Sequence, residues 1–140
     1  MQRRKSILRI LLLILMLPFS SASAEQWGGF TYTESDGAIT ITGYSCPDGA
    51  AVIPSLIDDK PVVRIGYQAF FECAGLTSVT IPSSVTTIDQ RAFYGCVGLT
   101  SAVIPGSVRH IGHHAFYGCT SLTSSPLRAP SSLVIVNRAD

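Results

Sequence analysis

The chain has 140 residues, of which ten are Lys or Arg and nine are Asp or Glu. Four of the ten basic residues lie within the first nine positions and no basic stripe follows them, so we do not expect nucleic acid or anionic membrane surfaces as partners. The remaining length is enough for one domain with one modest core.

The first 24 residues have the layout of a cleavable secretory signal. A basic start at residues 3–5 precedes an apolar run at residues 10–19 and small residues at 22–24. The alternative is a membrane anchor, but spanning needs about 20 apolar residues, and this run is too short. We therefore predict cleavage near Ala24, a secreted or cell-surface protein without stable membrane insertion, and a net charge of −3 over residues 25–140.

Residues 25–62 are predicted to form an N-terminal cap hairpin and an irregular first coil. The segments 30–33 and 38–42 alternate apolar and polar residues, and Asp36-Gly37 lies between them, which is the pattern of a β-hairpin. Its apolar face suits a lid over the first coil, because terminal repeats must shield the core of a repeat array. We interpret residues 43–51 as a turn.

The first coil is longer than those that follow. Ile53-Pro54-Ser55 lies 28 positions before Ile81-Pro82-Ser83, whereas later copies of the pattern are 23 apart. The five extra residues fit best in residues 58–62.

Residues 63–125 repeat one pattern at 23-residue spacing. In each copy an Ile precedes an Ala-Phe pair, a Cys follows three residues after the Phe, and a Leu three residues after the Cys. The copies are Ile65, Ala69, Phe70, Cys73 and Leu76; Ile88, Ala92, Phe93, Cys96 and Leu99; and Ile111, Ala115, Phe116, Cys119 and Leu122. A fixed period of this length predicts a mainly β solenoid with short turns or 3-10 segments, whose coils bury their apolar faces only by stacking.

Each repeat position has a predicted role. Val79-Thr80-Ile81 alternates inward and outward, which predicts a short strand paired in parallel with its counterpart in the next coil. Val85 and Ile88 are expected to return to the core from the opposite wall. The three phenylalanines are expected to stack as an aromatic spine.

Residues 126–140 depart from this pattern and are predicted to be a degenerate partial repeat, so the C-terminal cap is expected to be absent or improvised. Without cover, the last regular coil would expose apolar side chains. Either this tail folds back as a lid, which we favour, or two chains meet end to end, or the protein aggregates through an open strand edge.

The repeated residues resemble the BspA-like (Treponema-type) leucine-rich repeats of bacterial surface proteins, whose consensus runs I-x-x-x-A-F-x-x-C-x-x-L-x-x-I-x-I-P-x-x-V. Residues 65–122 fill nearly every consensus position, and residues 53–63 fit the usual first coil of that family. The resemblance implies a curved solenoid with a strand-lined inner face that is used for adhesion to host matrix proteins or to other cells.

The repeated cysteines Cys73, Cys96 and Cys119 have three possible explanations. Metal ligands must converge on a point, whereas equivalent repeat positions form a straight ladder with rungs about 4.8 Å apart. That spacing exceeds the roughly 3.5–4.5 Å preferred between the Cβ atoms of a disulfide. We therefore favour buried free thiols, and keep one disulfide, with Cys46 as a candidate partner, and a metal site as alternatives.

Neither catalysis nor a cofactor is expected. His110, His113 and His114 replace unrelated residues of the other copies, so we interpret them as solvent-facing. Ser45 lacks the second glycine of a nucleophile elbow. No catalytic, cofactor-binding or metal-binding residue is assigned, and the chain is predicted not to be an enzyme.

The outward strand positions suggest where a partner protein would bind. Ser78, Thr80, Ser101 and Val103 form an uncharged, hydroxyl-rich strip, which is equally compatible with ordinary strand-forming residues on a wet face. Tyr94 and Tyr117 are predicted to rim it, and aromatic residues are favoured at interfaces. We therefore predict an exported binding module for a protein ligand, such as matrix or another cell-surface protein; the alternative is a truncated or degenerate repeat protein without independent activity.

Overall fold

The computed structural model describes residues 24–122. The predicted secretory signal, apart from Ala24, and the predicted tail at residues 126–140 therefore lie outside the described residues. Within residues 24–122 every regular element is a β-strand, and the strands and turns wind into a β-solenoid with a 23-residue repeat. The predicted fold class is confirmed.

The N-terminal cap is a three-stranded antiparallel meander. Its strands are β1 (Glu25–Trp27), β2 (Phe30–Ser35) and β3 (Ala38–Tyr44). Asp36 and Gly37 have φ angles of 54° and 74°, the left-handed conformation that a type I′ hairpin turn requires. The predicted hairpin is thus confirmed, and β1 extends it by a strand that the sequence analysis missed.

The first coil contains β4 (Gly49–Val52), β5 (Leu56–Ile57) and β6 (Lys60–Ile65). The interpretation of residues 43–51 as a turn is wrong at both ends, because Tyr44 completes β3 and Gly49 begins β4, which pairs in parallel with the next coil. The extra residues of this coil form the β5–β6 hairpin, whose turn residues Asp58 and Asp59 both have positive φ.

A polar contact holds this hairpin against the cap. The Tyr32 hydroxyl lies 2.9 Å from a carboxylate oxygen of Glu25 in β1 and 2.9 Å from one of Asp58 in the β5–β6 turn. The hydrogen bond with Glu25, together with burial and Asp58, raises the pKa of Tyr32 above its ordinary value. The hydroxyl therefore keeps its proton, and its O–H is shared between hydrogen bonds to the Glu25 and Asp58 carboxylates.

The regular coils add strands to two sheets that face each other across the core. The remaining strands are β7 (Leu76–Thr80), β8 (Thr87–Ile88), β9 (Ser101–Val103) and β10 (His110–Ile111). One sheet has the order β4-β7-β9, and the other has the order β1-β2-β3-β6-β8-β10 with β5 beside β6. Because β3 pairs in parallel with β6, the cap continues the second sheet rather than resting loosely on it.

The core is a stack of equivalent side chains. Phe70 and Phe93 have ring centroids 4.7 Å apart, and Phe93 and Phe116 are 5.0 Å apart with nearly parallel planes. Phe30 and Tyr44 of the cap extend this stack beyond Phe70. The predicted aromatic spine is confirmed, and the cap completes its N-terminal end.

Hydrogen bonds between coils align the Ala-Phe turns that hold the spine. The Phe70 N–H donates to the Ala92 carbonyl and the Phe93 N–H to the Ala115 carbonyl, both at 2.7 Å. Each turn begins after a residue in the left-handed region, namely Gln68, Arg91 or His114, with φ between 56° and 58°. The residue type at this position varies, but its backbone conformation repeats.

Candidate protein-binding face

The outward side chains of the β4-β7-β9 sheet form two parallel rows. Strand register aligns Ala50 with Ser78 and Ser101, and Val52 with Thr80 and Val103. We call these six residues the strand strip. Four of them were predicted from the sequence. Ala50 was missed because residues 43–51 were interpreted as a turn, and Val52 directly after that segment was not recognised as the end of a strand.

Burial alternates along these strands as the strand period requires. Val79 and Ala102 are buried in the core, whereas the next residue along each strand, Thr80 or Val103, is exposed. Val52 and Val103 are 67% and 48% exposed. The strip therefore presents apolar methyl groups to solvent at both ends of one row.

The strip has no charge and a fixed backbone. Strands β4, β7 and β9 contain no Asp, Glu, Lys or Arg. The Thr100 hydroxyl donates to the Thr77 carbonyl at 3.0 Å, which links neighbouring coils beside the strip. Short side chains on a hydrogen-bonded sheet lose little conformational entropy on binding, so the surface is suited to a protein partner.

Tyr94 and Tyr117 belong to a second row of aromatic rings. Phe71 stacks on Tyr94 at 5.3 Å, and Tyr94 stacks on Tyr117 at 5.2 Å. We call these three residues the outer aromatic ladder. Phe71 was missed by the sequence analysis, although the 23-residue spacing of the three rings is visible in the sequence.

Neighbouring polar groups hold the rings of this ladder. The Arg91 guanidinium carbon lies 5.8 Å from the centre of the Tyr94 ring, and His114 meets Tyr117 edge-on at 5.4 Å. Phe71 and Tyr117 are nevertheless 37% and 41% exposed. The ladder is therefore ordered but open to solvent, and its role as a rim of the strand strip stays a prediction.

The cysteines correct one expectation and confirm another. Cys46 and Cys73 form a disulfide with their Cα atoms 5.2 Å apart, so Cys73 is not a free thiol. Cys96 and Cys119 are free and buried, as expected for the repeated cysteines. The expectation failed at Cys73 because Cys46, which lies outside the regular repeats, takes the place of a repeated cysteine in the preceding coil. The Cα separation of the two cysteines is within the range that a disulfide accepts.

The sequence of residues 49–137 matches the BspA type Leucine rich repeat region, in six copies of its repeat unit. This match covers well over half of the chain and includes every strand of the strip.

The chain belongs to the BspA-type leucine-rich repeat family.

Solved structures of bacterial leucine-rich repeat proteins have the same fold. The chain is 40% identical to a leucine-rich repeat protein of T. pallidum (TM-score 0.67), over 71% of this chain and 48% of that one. It is 33% identical to a leucine-rich cell surface protein of Faecalibacterium prausnitzii (TM-score 0.68), over 76% of this chain and 31% of that one. A leucine-rich repeat protein from Bacteroides capillosus is 29% identical (TM-score 0.64), over 79% of this chain and 94% of that one.

The chain thus spans less than half the length of the first two of these leucine-rich repeat proteins. No curated protein matches it. Within residues 24–122, no helix is long and apolar enough to cross a membrane.

The family consists of repeat proteins that are typically non-catalytic and that generally bind other proteins. His110, His113 and His114 are exposed, as expected. In the part of the chain that the structure describes, no three His, Cys, Asp or Glu side chains are arranged to hold a metal ion. Ser45 is exposed, and its N–H donates to the Gly29 carbonyl at 2.9 Å, so it serves the cap backbone.

Proposed function

We propose that this BspA-type repeat chain is an exported module that binds a protein ligand through the strand strip. The observation that carries the proposal is the row Val52–Thr80–Val103, in which solvent-exposed valines flank a threonine on a rigid, uncharged sheet. Such a row offers apolar contact without the cost of desolvating a charge.

The ligand that fits this surface is an extracellular-matrix or cell-surface protein. Export is supported by the signal-like layout of residues 1–24, and one similar structure is that of a leucine-rich cell surface protein. Stable interfaces bury about 800 Å² on each partner, and three short strands about 4.8 Å apart provide only part of that area. The outer aromatic ladder, with Tyr94 and Tyr117, is the surface through which the interface would extend.

A charge placed on the strip tests the proposal. Thr80→Glu and Val103→Glu, made singly and together, bury an unpaired carboxylate if a partner covers the row. We expect each to weaken binding of the purified protein to a panel of immobilised extracellular-matrix proteins about tenfold, as surface plasmon resonance would measure. Melting curves identify any loss caused by unfolding, which matters most for the double variant because like charges on paired strands repel.

Matched charge controls lie elsewhere on the surface. Ser83→Glu and Gln90→Glu add the same charge at exposed positions outside the strip and should leave binding unchanged, as should replacing His110, His113 and His114 by alanine. The strip is the wrong surface if the histidine or control variants abolish binding while the strip variants retain it. If no protein of the panel binds the unmodified chain, those matrix proteins are excluded as its ligands.

A further inference from the structure

The four cysteines of the chain lie at corresponding positions of successive coils and form one row, the cysteine ladder. In the strand register Gly49 pairs with Leu76, and Cys46 and Cys73 each lie three residues earlier. Cys96 and Cys119 follow Cys73 at the 23-residue period. The disulfide therefore joins the first two rungs, and thiols occupy the next two.

Each free thiol is directed toward the rung before it. The Cys96 Sγ lies 3.0 Å from the Phe70 carbonyl oxygen, which also accepts the Cys73 N–H at 3.3 Å. The Cys119 Sγ lies 3.1 Å from the Phe93 carbonyl oxygen, which accepts the Cys96 N–H. The Cys96 sulfur is thus held at the turn that contains Cys73. Cys96 belongs to the coil after this turn, and Cys46 belongs to the coil before it.

We propose that this ladder performs internal thiol–disulfide exchange, in which Cys96 displaces Cys46 from Cys73. The Cys96 thiolate attacks the Cys73 Sγ, a Cys73–Cys96 bond forms as the Cys46–Cys73 bond breaks, and the electron pair leaves on the Cys46 Sγ. The proton that Cys96 gives up is balanced by the one that Cys46 takes up. One disulfide and two thiols are present before and after, so the step needs neither oxidant nor reductant.

Stacking of the coils supplies the geometry of this reaction. Exchange requires attacking, central and leaving sulfurs close to a line, and equivalent positions of a parallel stack follow one another along its axis about 4.8 Å apart. The 5.2 Å Cα separation of Cys46 and Cys73 shows that a bridge fits between neighbouring rungs. A bridge between Cys73 and Cys96 requires a similar Cα separation one rung further on, and the two Cβ atoms must approach from the rung spacing of about 4.8 Å to within about 4.5 Å.

The two ends of the ladder also favour the exchange. Contact with the Cys119 thiol lowers the pKa of Cys96 despite its burial, whereas the same contact and burial raise the pKa of Cys119. Cys119 therefore keeps its proton. In the structure both thiols donate to carbonyls, Cys96 to Phe70 and Cys119 to Phe93, so each S–H must leave its carbonyl before Cys119 can donate to a thiolate at Cys96. On the other side, Cys46 is half-buried and its Sγ lies 3.3 Å from the Tyr44 carbonyl oxygen, an acceptor for the released thiol.

Exchange would move a thiol from the core to the half-buried Cys46, where it can be trapped. The protein is purified without reductant, incubated at pH 8 with N-ethylmaleimide, and analysed by peptide mapping after denaturation. We expect molecules that carry maleimide on Cys46 and a Cys73–Cys96 disulfide to accumulate over seconds to hours, the range for disulfide reshuffling. Their rate of formation should not depend on protein concentration, because the reaction is internal.

Two variants separate exchange from accidental opening of the bridge. Cys96→Ala removes the attacking sulfur and should reduce Cys46 labelling at least about tenfold. Cys119→Ala keeps that sulfur but removes its proton donor, so labelling should persist at a lower rate that recovers as the pH is raised. The second variant and the wild-type pH profile provide the test even if the first fails to fold.

The proposal is overturned if wild-type Cys46 stays unlabelled and only the Cys46–Cys73 disulfide is recovered. It is equally overturned if Cys96→Ala labels at Cys46 as fast as the wild type, or if the rate increases with protein concentration, since the attacking thiol would then belong to another molecule.

Discussion

At the scale of single residues, position within the stack determines what a side chain contributes. Phe93 is fully buried and has a phenylalanine on both faces, whereas its neighbour Tyr94 is only partly buried in the outer aromatic ladder. Adjacent aromatic residues thus belong to two stacks with different environments. The difference in burial predicts a difference in stability that mutation can measure.

Phe93→Ala is expected to lower the free energy of unfolding by about 3–5 kcal/mol, because it leaves a cavity in the middle of the spine. Small domains are stable by only about 5–15 kcal/mol, so this variant should lose most of its cooperative transition in urea. Tyr94→Ala is the matched control and should cost about 1–2 kcal/mol, mainly from lost ring stacking. Equal losses in the two variants would contradict the assignment of Phe93 to the core.

The sequence was informative where the repeat is regular and less so outside it. The period alone identified the spine phenylalanines and the outward residues Thr80 and Val103. The disulfide was not favoured, because Cys46 lies 27 residues before Cys73 rather than 23 and its rung is visible only in the strand register. The extra residues of the β5–β6 hairpin displace the first coil from the period, and a one-residue shift in register between Gly49 and Ala50 makes the separation 27 before that point and 28 after it.

At the scale of elements, close approach of neighbouring coils limits the residues that the turns accept. A Cβ placed on Gly98 would lie 2.3 Å from the Ala74 carbonyl oxygen, which belongs to the backbone of the preceding coil. A Cβ on Gly106 would meet nothing within 4 Å. The glycines before and after β9 are therefore expected to tolerate substitution very differently.

Gly98→Ala is expected to cost about 1–3 kcal/mol, because the coils must separate to relieve the contact with the backbone. Gly106→Ala should be neutral or slightly stabilising, since it restricts the unfolded chain without a clash. Urea unfolding of both variants measures the difference. A neutral Gly98→Ala would mean that the coils pack less closely at this turn.

Elements were predictable where local patterns were strong. The hairpin around Asp36-Gly37 followed from its alternating residues and its turn sequence. Strand β4 was missed because Gly49 stands where the regular coils have leucine, and the preceding Cys46-Pro47-Asp48 favours a turn. Parallel pairing with β7, a contact between distant residues, is what makes this segment a strand.

At the scale of the whole molecule, the cap and the coils are joined by two kinds of link. Parallel pairing of β3 with β6 continues one sheet from the cap into the solenoid, and the Cys46–Cys73 disulfide fixes the first coil to the next. Each coil of a repeat array contacts only its neighbouring coils. A covalent link between two coils therefore raises the stability of the end of the array that contains it.

Reduction of this disulfide should therefore destabilise the protein as a whole. The bridge closes a loop with a sequence separation of 27, for which loop entropy predicts about 3–4 kcal/mol of stabilisation. The urea midpoint should fall when reductant is added, and a Cys46→Ala, Cys73→Ala double variant should unfold at the reduced midpoint in either condition. A Cys96→Ala, Cys119→Ala double variant retains the bridge, so reductant should lower its midpoint as in the wild type. If reductant leaves the wild-type midpoint unchanged, the bridge does not restrain the unfolded chain, and pairing of β3 with β6 and of β4 with β7 alone holds the first coil in place.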